Sequence, residues 1–406
     1  MWDEFPPVPT AEWEAAIRAD LKGADYDKKL LWRTDEGITV RPFYRADDLP
    51  PTTGQARFTG TWQIAADSDI PKEAVRGDLL HEQGATAVQE VGYALAESQG
   101  KRNTFVFSVG ANYFFEIAKL RAARQLWARL SSVPMVAWSR TSLADKSLYD
   151  PPANLMRCTT EAMSAIFGGC DFLVIESVRF PEHLARSLGR ILREESHFEE
   201  VSDPGGGSYY IESLTASIAN EAWKIYGSGL QGRDAAIAAA RAAKEKAVAQ
   251  RKRTLVGVNN YPDLNETLPP DATLPQSPWR MAEPFETIRQ RVEKSIKRPR
   301  VLLLQRGDVK MRMARANFCQ NLFGCAGFEV KTSETLEPAD LVVLCSSDPE
   351  YLALAQEICR QTKSPVLVAG NPKEQTEALR AAGVKDFAYL GIDAVKFLAQ
   401  WQEALT

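Results

Sequence analysis

Histidine is the scarcest of the potential catalytic and metal-ligating residues in this 406-residue chain. It occurs only at His81, His183 and His197. Residues 198–406 therefore contain no imidazole that could ligate a metal or a metal-containing cofactor, and a protonated lysine has no lone pair to replace one. The second half of the chain is thus excluded as a source of histidine ligands.

The cysteine patterns of zinc sites and disulfide scaffolds are missing as well. The six cysteines include no C-x-x-C pair and lie mostly in apolar surroundings, as reduced core thiols do. We therefore expect no metal site and a reducing compartment, the cytoplasm. The N-terminus also lacks the basic and apolar segments of a signal peptide, which supports the same expectation.

A large charge of either sign is also absent. Lys and Arg total 49 and Asp and Glu total 53, which gives a net charge of −4. Such a balance provides no basic field for nucleic acid and no polybasic patch for a membrane surface. The sequence contains no run of eighteen apolar residues, which is about the length needed to span a bilayer. The expected ligands are small molecules or proteins, not nucleic acid or membrane.

The chain is long enough for two or more domains, each with its own core. Residues 1–60 have little periodicity and look like an arm. Residues 61–256 alternate between strand and helix patterns and end in a helical extension. Residues 257–299 are proline-rich and form the expected linker, and residues 300–406 alternate again as a separate domain.

Both alternating parts predict an α/β fold with parallel strands. In the first part, the predicted strands are Thr61–Ile64, Thr104–Val109, Met135–Trp138 and Phe172–Ile175. The predicted helices of this part are Ala85–Ala96, Tyr113–Leu130 and Pro152–Phe167. The second has predicted strands at Val301–Gln305, Glu329–Thr332, Leu341–Cys345, Pro365–Ala369 and Phe387–Leu390. These alternate with four helices and a closing helix from Ile392, a flavodoxin-like doubly wound pattern.

The helix predicted over Tyr113–Leu130 is apolar on nearly every side, so its charges need partners. Glu116 and Lys119 lie three residues apart and can pair on one face. Arg121 and Arg124 have no acid three or four residues away in this helix. Their partners must come from another segment, another chain or an anionic ligand, and we favour an ion pair within the fold.

The string from Asn112 to Trp127, NYFFEIAKLRAARQLW, closely resembles the signature of the methylmalonyl-CoA mutase family, the adenosylcobalamin-dependent acyl-CoA mutases. Three further segments resemble this family: Leu31–Tyr44, Ser202–Thr215 and Val256–Asn259. The resemblance implies an N-terminal arm that contacts another subunit, a (β/α)8 barrel, a short strand at Val256–Asn259 leaving the barrel, and a cobalamin-binding domain of flavodoxin-like fold.

The barrel implied by this resemblance is shortened here. Trp62-Gln63-Ile64 resembles the first barrel strand, yet the chain from Gly77 to Glu90 already resembles a unit past the midpoint. A full barrel has eight βα units in about 250 residues, whereas this segment holds four or five. We predict an incomplete TIM-type barrel, whose open sheet edges a partner chain would cover.

The glycine-rich stretch Gly205-Gly206-Gly207-Ser208 lies within one of the resembling segments. Its backbone N–H groups could hold a phosphate. No lysine with Walker-type spacing accompanies it, so we favour a structural turn that leads into a helix.

The cobalt ligand of the family comes from an Asp-x-His-x-x-Gly motif after the first strand of the C-terminal domain. Asp308 matches the aspartate, but Lys310 stands at the histidine position and Met313 at the glycine position. Lysine cannot ligate cobalt in its protonated form, and methionine replaces the residue that lets the backbone approach the corrin. The resemblance therefore implies a degenerate motif that binds no cofactor.

The substrate-binding residues are also altered. In catalytic members a Gly-Tyr-His triplet precedes the Gln-Glu-x-Gly-Ala stretch, and here the triplet is Gly77-Asp78-Leu79. His81 lies two positions further on, where a shift of strand register could bring it to the same face. We favour instead a polar contact of His81 at a helix start, and we predict no catalytic residue.

Together these features imply a non-catalytic small (beta) subunit of an adenosylcobalamin-dependent acyl-CoA mutase. Its partner would be the catalytic large subunit, which would carry the adenosylcobalamin in a heterodimer, and the reaction would interconvert methylmalonyl-CoA and succinyl-CoA. Asn112, Glu116, Lys119, Arg121 and Arg124 would then be family scaffold or subunit contacts. Two alternatives remain: a free-standing binding or regulatory protein derived from a mutase, and an active mutase that binds cobalamin without a protein ligand.

Overall fold

The computed structural model describes residues 8–50, 61–270, 272–273 and 277–406. Parts of the predicted arm and linker lie outside this range. The described arm contains two helices and an antiparallel hairpin, namely α1 (Thr10–Asp20), α2 (Tyr26–Leu30), β1 (Trp32–Arg33) and β2 (Thr39–Val40). No residue of α1 or α2 is buried.

The first sheet has five parallel strands, β3 (Gln63–Ala65), β4 (Val75–Arg76), β5 (Thr104–Val109), β6 (Val136–Thr141) and β7 (Phe172–Val174). They pair in the order β3-β7-β6-β5-β4. The four predicted strands are confirmed: Thr104–Val109 has the predicted ends, and the ends of the other three differ by at most three residues. The sequence pattern missed β4, because two residues are too few to show a period.

The sheet is open among the described residues, with β3 and β4 at opposite edges. Residues 66–74, which we call the strap, join these two strands and must cross four inter-strand spacings of about 4.8 Å. Ile70 and Ala74 of the strap pack against Val106 and Trp138 on one face of the sheet. This face would be the interior of a closed barrel, and here the chain itself covers it.

Helices cover the other face of the first sheet. Their bounds are α3 (Gly77–His81), α4 (Ala87–Ser98), α5 (Tyr113–Leu130), α6 (Pro151–Gly168), α7 (Glu182–Arg190), α8 (Tyr209–Ser228) and α9 (Arg233–Ala249). The largest core of this part joins Phe105 and Phe107 of β5 to Trp127 of α5. The prediction that α5 is buried on nearly every side holds for most positions, but Phe114 is 46% exposed.

One predicted strand is wrong. Residues 256–259 form a turn with an isolated bridge between Val256 and Asn260, and no strand. The φ angle of Gly257 is +81°, a left-handed conformation that glycine adopts readily, so the chain reverses at this point. The described part of the linker then contains one helix, α10 (Glu283–Lys294).

The second sheet has five parallel strands, β8 (Arg300–Gln305), β9 (Glu329–Ser333), β10 (Leu341–Cys345), β11 (Val366–Ala369) and β12 (Asp386–Ala388). Counted along this part of the chain, their spatial order is 2-1-3-4-5, an order found in doubly wound folds. The helices are α11 (Val309–Gly324), α12 (Tyr351–Gln361), α13 (Thr376–Ala381) and α14 (Ala394–Leu405). One of the four helices predicted between the strands of this sheet is absent: residues 334–340 connect β9 to β10 without a helix.

Candidate functional site

The charged residues of the Asn112–Trp127 motif lie mostly inside the fold. Asn112 precedes α5, and its carbonyl oxygen accepts a hydrogen bond from the Glu116 N–H at 3.0 Å. The Lys119 ammonium is fully buried and donates to Glu90 Oε2 at 2.8 Å, to the Ser108 carbonyl oxygen and into an ion pair with Glu116. Glu90 of α4 is thus a second acidic partner of Lys119, and the spacing of residues within α5 could not reveal it.

Burial and ion pairing act in opposite directions on this cluster. Burial opposes the charge of Lys119, but Glu116 and Glu90 outweigh it and raise the pKa of the ammonium. Burial likewise opposes the charge of Glu90, but Lys119 and His81 outweigh it and lower the pKa of that carboxyl. Both groups are therefore held in their ionised forms.

Arg121 finds its partners in the segment around α8. Its guanidinium pairs with Asp203 and, at 2.6 Å, with Glu212 Oε1, and its Nε donates to Thr215 Oγ1 at 3.4 Å. The Gly207 N–H donates to the same Glu212 oxygen at 3.0 Å. The glycine-rich turn is thereby tied to α5 through carboxylates of this chain.

Arg124 is bound by groups at the amino-terminal ends of two strands. Its Nη2 donates to Asp171 Oδ2 at 2.7 Å and to the Gly169 carbonyl oxygen at 2.6 Å, and its Nη1 donates to the Met135 carbonyl oxygen at 3.0 Å. Both arginines are thus paired with groups from other segments of this chain, as the favoured interpretation expected.

His81 is the last residue of α3, and not part of a strand. Its Nε2 lies 3.0 Å from Ser142 Oγ, and its Nδ1 lies 3.6 Å from Glu90 Oε2, which is an ion-pair distance longer than a hydrogen bond. Burial disfavours the imidazolium, but Glu90 outweighs it and raises the pKa of His81. The expected polar contact therefore forms at the end of a helix and not at its start.

The two side chains of the altered triplet, Asp78 and Leu79, lie in different surroundings. Asp78 is buried and pairs with Arg76 at 2.6 Å and with Arg140 at 3.4 Å. Leu79 is 45% exposed. Neither side chain therefore joins His81 in a common site.

A cavity of about 510 Å³ lies at the carboxyl edge of the first sheet. Ligands of parallel α/β sheets usually bind at this edge. The sheet side contributes His81, Gly110–Asn112 and Asp145, and the remaining walls come from the arm, α9 and the linker. Sequence patterns gave no signal for this cavity, because its walls come from segments that are far apart in the chain.

The residues of the degenerate cobalamin motif lie where α11 begins. Asp308 Oδ1 accepts a hydrogen bond from the Met311 N–H at 2.8 Å and so caps the helix. Lys310 is the second residue of α11, and Met313 is 52% exposed. The Asp308 carboxylate is thus already engaged in capping its own helix.

The crevice between the ends of β8 and β10 is the topological switch point of the second sheet, where doubly wound folds bind ligands. Glu350 fills it. Its Oε2 accepts hydrogen bonds from the Asp308 N–H at 3.2 Å, from the Ser347 N–H at 3.2 Å and from Ser346 Oγ at 2.7 Å. The residues present do not fit a histidine-ligated cobalamin: lysine stands at the ligand position, and a carboxylate closes the crevice.

None of the helices among the described residues has both the length and the apolar character needed to cross a membrane. No group of three or more His, Cys, Asp and Glu side chains in this part of the chain is arranged to hold a metal ion. All six cysteines are free thiols.

Comparison with known proteins identifies the family. The family model for methylmalonyl-CoA mutase matches residues 62–298. The methylmalonyl-CoA mutase small subunit of Porphyromonas gingivalis is 27% identical, in an alignment that covers 99% of this chain and 98% of the relative. That alignment runs over 607 positions, so about 200 of them have no counterpart among the 406 residues here.

Two other relatives carry the same name. The small subunit of Streptomyces virginiae is 32% identical over 78% of this chain and 62% of its own length. The small subunit of Propionibacterium freudenreichii subsp. shermanii is 29% identical over 77% of this chain and 56% of its own length. This chain thus spans about three fifths of these two relatives. From the family match and these relatives, we conclude that the chain belongs to the methylmalonyl-CoA mutase family.

Proposed function

We propose that this chain is the non-catalytic small subunit of an adenosylcobalamin-dependent acyl-CoA mutase, and that it stabilises a catalytic large subunit in a heterodimer. The reaction of the complex would be the interconversion of methylmalonyl-CoA and succinyl-CoA. The chain itself would bind no adenosylcobalamin and would act in the cytoplasm. The observation that carries this proposal is the pair Lys310 and Glu350 at the ligand edge of the second sheet.

Lys310 stands at the position of the metal-ligating histidine, and Glu350 lies in the crevice that a cofactor would need. No histidine follows His197 in the sequence, so no other residue of the second sheet's domain can supply an imidazole. The Glu350 carboxylate is held by serine and backbone donors, which lower its pKa to about 2. An anionic side chain tied to both loops would have to leave the crevice before any cofactor could enter.

The shortened first domain supports the same proposal. Its five strands form an open sheet, and the strap covers the face that would line a closed barrel. Radical chemistry on an acyl-CoA requires an enclosed site that excludes water. We interpret this domain as an incomplete TIM-type barrel that has kept the family's scaffold without an interior channel. The second domain we interpret as a degenerate cobalamin-binding-type domain of flavodoxin-like fold.

The arm is the expected contact with the large subunit. Trp13 of α1 is 47% exposed, although its ring contacts that of Phe43 in a tilted arrangement at a centroid distance of 5.3 Å. An eleven-residue helix with no buried residue is marginal in water without a packing partner. A partner chain that buried Trp13 would supply the missing contact.

Co-expression with a candidate catalytic large subunit tests the proposal. We expect a 1:1 complex in size-exclusion chromatography, and mutase activity with adenosylcobalamin that requires the large subunit. The purified chain alone should neither change the absorbance spectrum of added adenosylcobalamin nor isomerise methylmalonyl-CoA. Turnover by this chain alone would contradict the proposal and favour an active mutase.

A matched pair of variants tests the arm. Trp13→Ala should weaken the complex at least about tenfold if this side chain is a central contact. Trp223→Ala, which removes a 36% exposed tryptophan from α8, should leave the affinity unchanged. A chain that binds no large subunit under any of these conditions would instead favour a free-standing regulatory protein.

A further inference from the structure

The cavity at the carboxyl edge of the first sheet is lined by four lysine or arginine side chains and four acidic side chains, and one of the lysines is buried. Lys244 of α9 contributes to its wall and is only 7% exposed. The Lys244 ammonium donates to the Ala85 carbonyl oxygen at 2.8 Å. No carboxylate within the described residues forms an ion pair with it, although an ammonium has three N–H donors. Burying a cation in this way is costly unless an anion accompanies it.

The acids of the cavity wall are already engaged. Glu116 pairs with Lys119, Asp35 pairs with Arg253 at 3.0 Å, and Asp145 Oδ2 accepts a hydrogen bond from the Ala111 N–H at 3.1 Å. Burial raises the pKa of Glu36, and no ion pair joins Glu36 to Lys244 among the described residues. The wall therefore offers no free carboxylate in contact with Lys244.

Three more cations line the same cavity. Arg253 pairs with Asp35, whereas Arg33 and Lys252 are exposed and form no ion pair with a carboxylate of the described residues. Burial, followed by the charge of Arg253, lowers the pKa of Lys244, although Asp145, Glu36 and Asp35 act in the opposite direction. An anion in direct contact with the ammonium would offset the cost of burying it, so the geometry favours an anionic occupant.

The rest of the lining sets the shape of the occupant. Trp279 and Met281 are each 3% exposed and form an apolar wall. The volume of about 510 Å³ lies within the range of small-molecule sites, about 300–1,000 Å³. An occupant with one compact apolar part and one anionic group matches both walls.

We propose that this cavity binds a small organic anion, a carboxylate or a phosphate monoester, whose charged group pairs with Lys244 and whose apolar part packs against Trp279 and Met281. This site goes beyond the proposed subunit function and does not depend on it. Its walls include Trp32 of the arm and Trp279 of the linker, so an occupant would hold these segments against the first domain.

The test uses the full chain and three probes of similar size: benzoate, phenyl phosphate and neutral benzamide. At constant ionic strength, isothermal titration should show binding of at least one anion, and that anion should raise the melting temperature, since a ligand of the native state stabilises it. Benzamide should bind at least about tenfold more weakly, because it lacks the charge that Lys244 requires. Equal binding of benzamide, or no binding of either anion at millimolar concentration, would overturn the proposal.

Variants locate the site. Lys244→Met should lower the affinity for the anion at least about tenfold while circular dichroism shows an unchanged fold. Lys224→Met, a matched change at an exposed lysine of α8 that pairs with Glu221, should have no effect. Unchanged affinity in Lys244→Met, or an equal loss in Lys224→Met, would contradict the assignment.

A spectroscopic measurement covers the case in which Lys244→Met does not fold. In the unmodified chain labelled at its methionine methyl groups, the anion should shift the Met281 signal, which Met281→Leu would identify. Saturation of the anion without any shift of that signal would place the binding elsewhere and overturn the proposal.

Discussion

Glu350 accepts a hydrogen bond from the backbone N–H of Asp308 across the carboxyl edge of the second sheet, at 3.2 Å. The contact joins the loop after β8 to the loop after β10, which in doubly wound folds diverge to leave a ligand crevice. Gly307 lies directly beneath it. A Cβ on Gly307 would lie 2.2 Å from Glu350 Oε2, and the φ angle of Gly307 is +74°, so another residue here would be strained and would displace the Glu350 carboxylate.

Glu350→Gln should loosen the contact between these two loops. Hydrogen bonds from Ser347, Ser346 and the Asp308 N–H lower the pKa of Glu350 to about 2, from an ordinary value of 4.5. The stabilisation is therefore fully present above pH 4.5 and is lost as the pH falls towards 2. Amide hydrogen exchange at Asp308 and Ser347 should be faster in the variant at neutral pH. Glu374→Gln, at an exposed position of the same domain, is the control, and equal exchange in both variants would refute the role of Glu350.

Lys119→Met should destabilise the first domain by about 3–5 kcal/mol, the cost of breaking a buried ion pair by removing one partner. The variant leaves Glu90 and Glu116 buried without their cation. Urea unfolding followed by circular dichroism measures the effect. Lys224→Met removes a lysine from an exposed pair and should cost less than about 1 kcal/mol. A similar small cost for Lys119→Met would show that the buried network contributes little.

His81 should make stability depend on pH above its ordinary pKa of 6.5. Glu90 outweighs burial and raises the pKa of His81, while Lys119 and Lys244 oppose its charge. The stabilisation by the imidazolium is complete below the ordinary pKa of 6.5 and is lost as the pH rises through the raised value. The difference in unfolding free energy between the unmodified chain and His81→Gln should therefore shrink with rising pH. A difference that is constant from pH 6 to 9 would contradict this assignment.

Ile70→Ala should cost about 1–2 kcal/mol, because Ile70 is a half-buried side chain of the strap that packs on the interior face of the first sheet. Thermal or urea unfolding measures the loss. Ile296→Ala removes a fully exposed isoleucine and should change stability by less than about 0.5 kcal/mol. If the two variants were equally stable, the strap would not be a packed part of the core.

The strands that local pattern predicts best are buried and apolar. Phe105–Val109 and Leu341–Cys345 read as continuous apolar runs, as the central strands of parallel sheets do. Prediction failed for β4 and for the turn at residues 256–259. The first is two residues long. The second was expected to be a strand because Val256–Asn259 resembles a strand of the family, whereas here these residues form a turn.

The candidate sites show a different limit. The motif residues Arg121 and Arg124 stood out in the sequence because they lacked local partners. Their carboxylate partners, including Glu212 and Asp171, lie more than forty residues away. The anion cavity gave no signal, since Lys244 and Trp279 are ordinary residues until the fold brings them to one wall.

The sequence by itself determined most of the elements, the family signature and the lack of any histidine after His197, because residue identity and local periodicity are properties of the chain alone. The tertiary structure decided how the interior face of the first sheet is covered, which acids pair with Lys119, and that Glu350 closes the crevice beside Asp308. These are contacts between residues distant in the chain, and only packing in three dimensions fixes which groups meet.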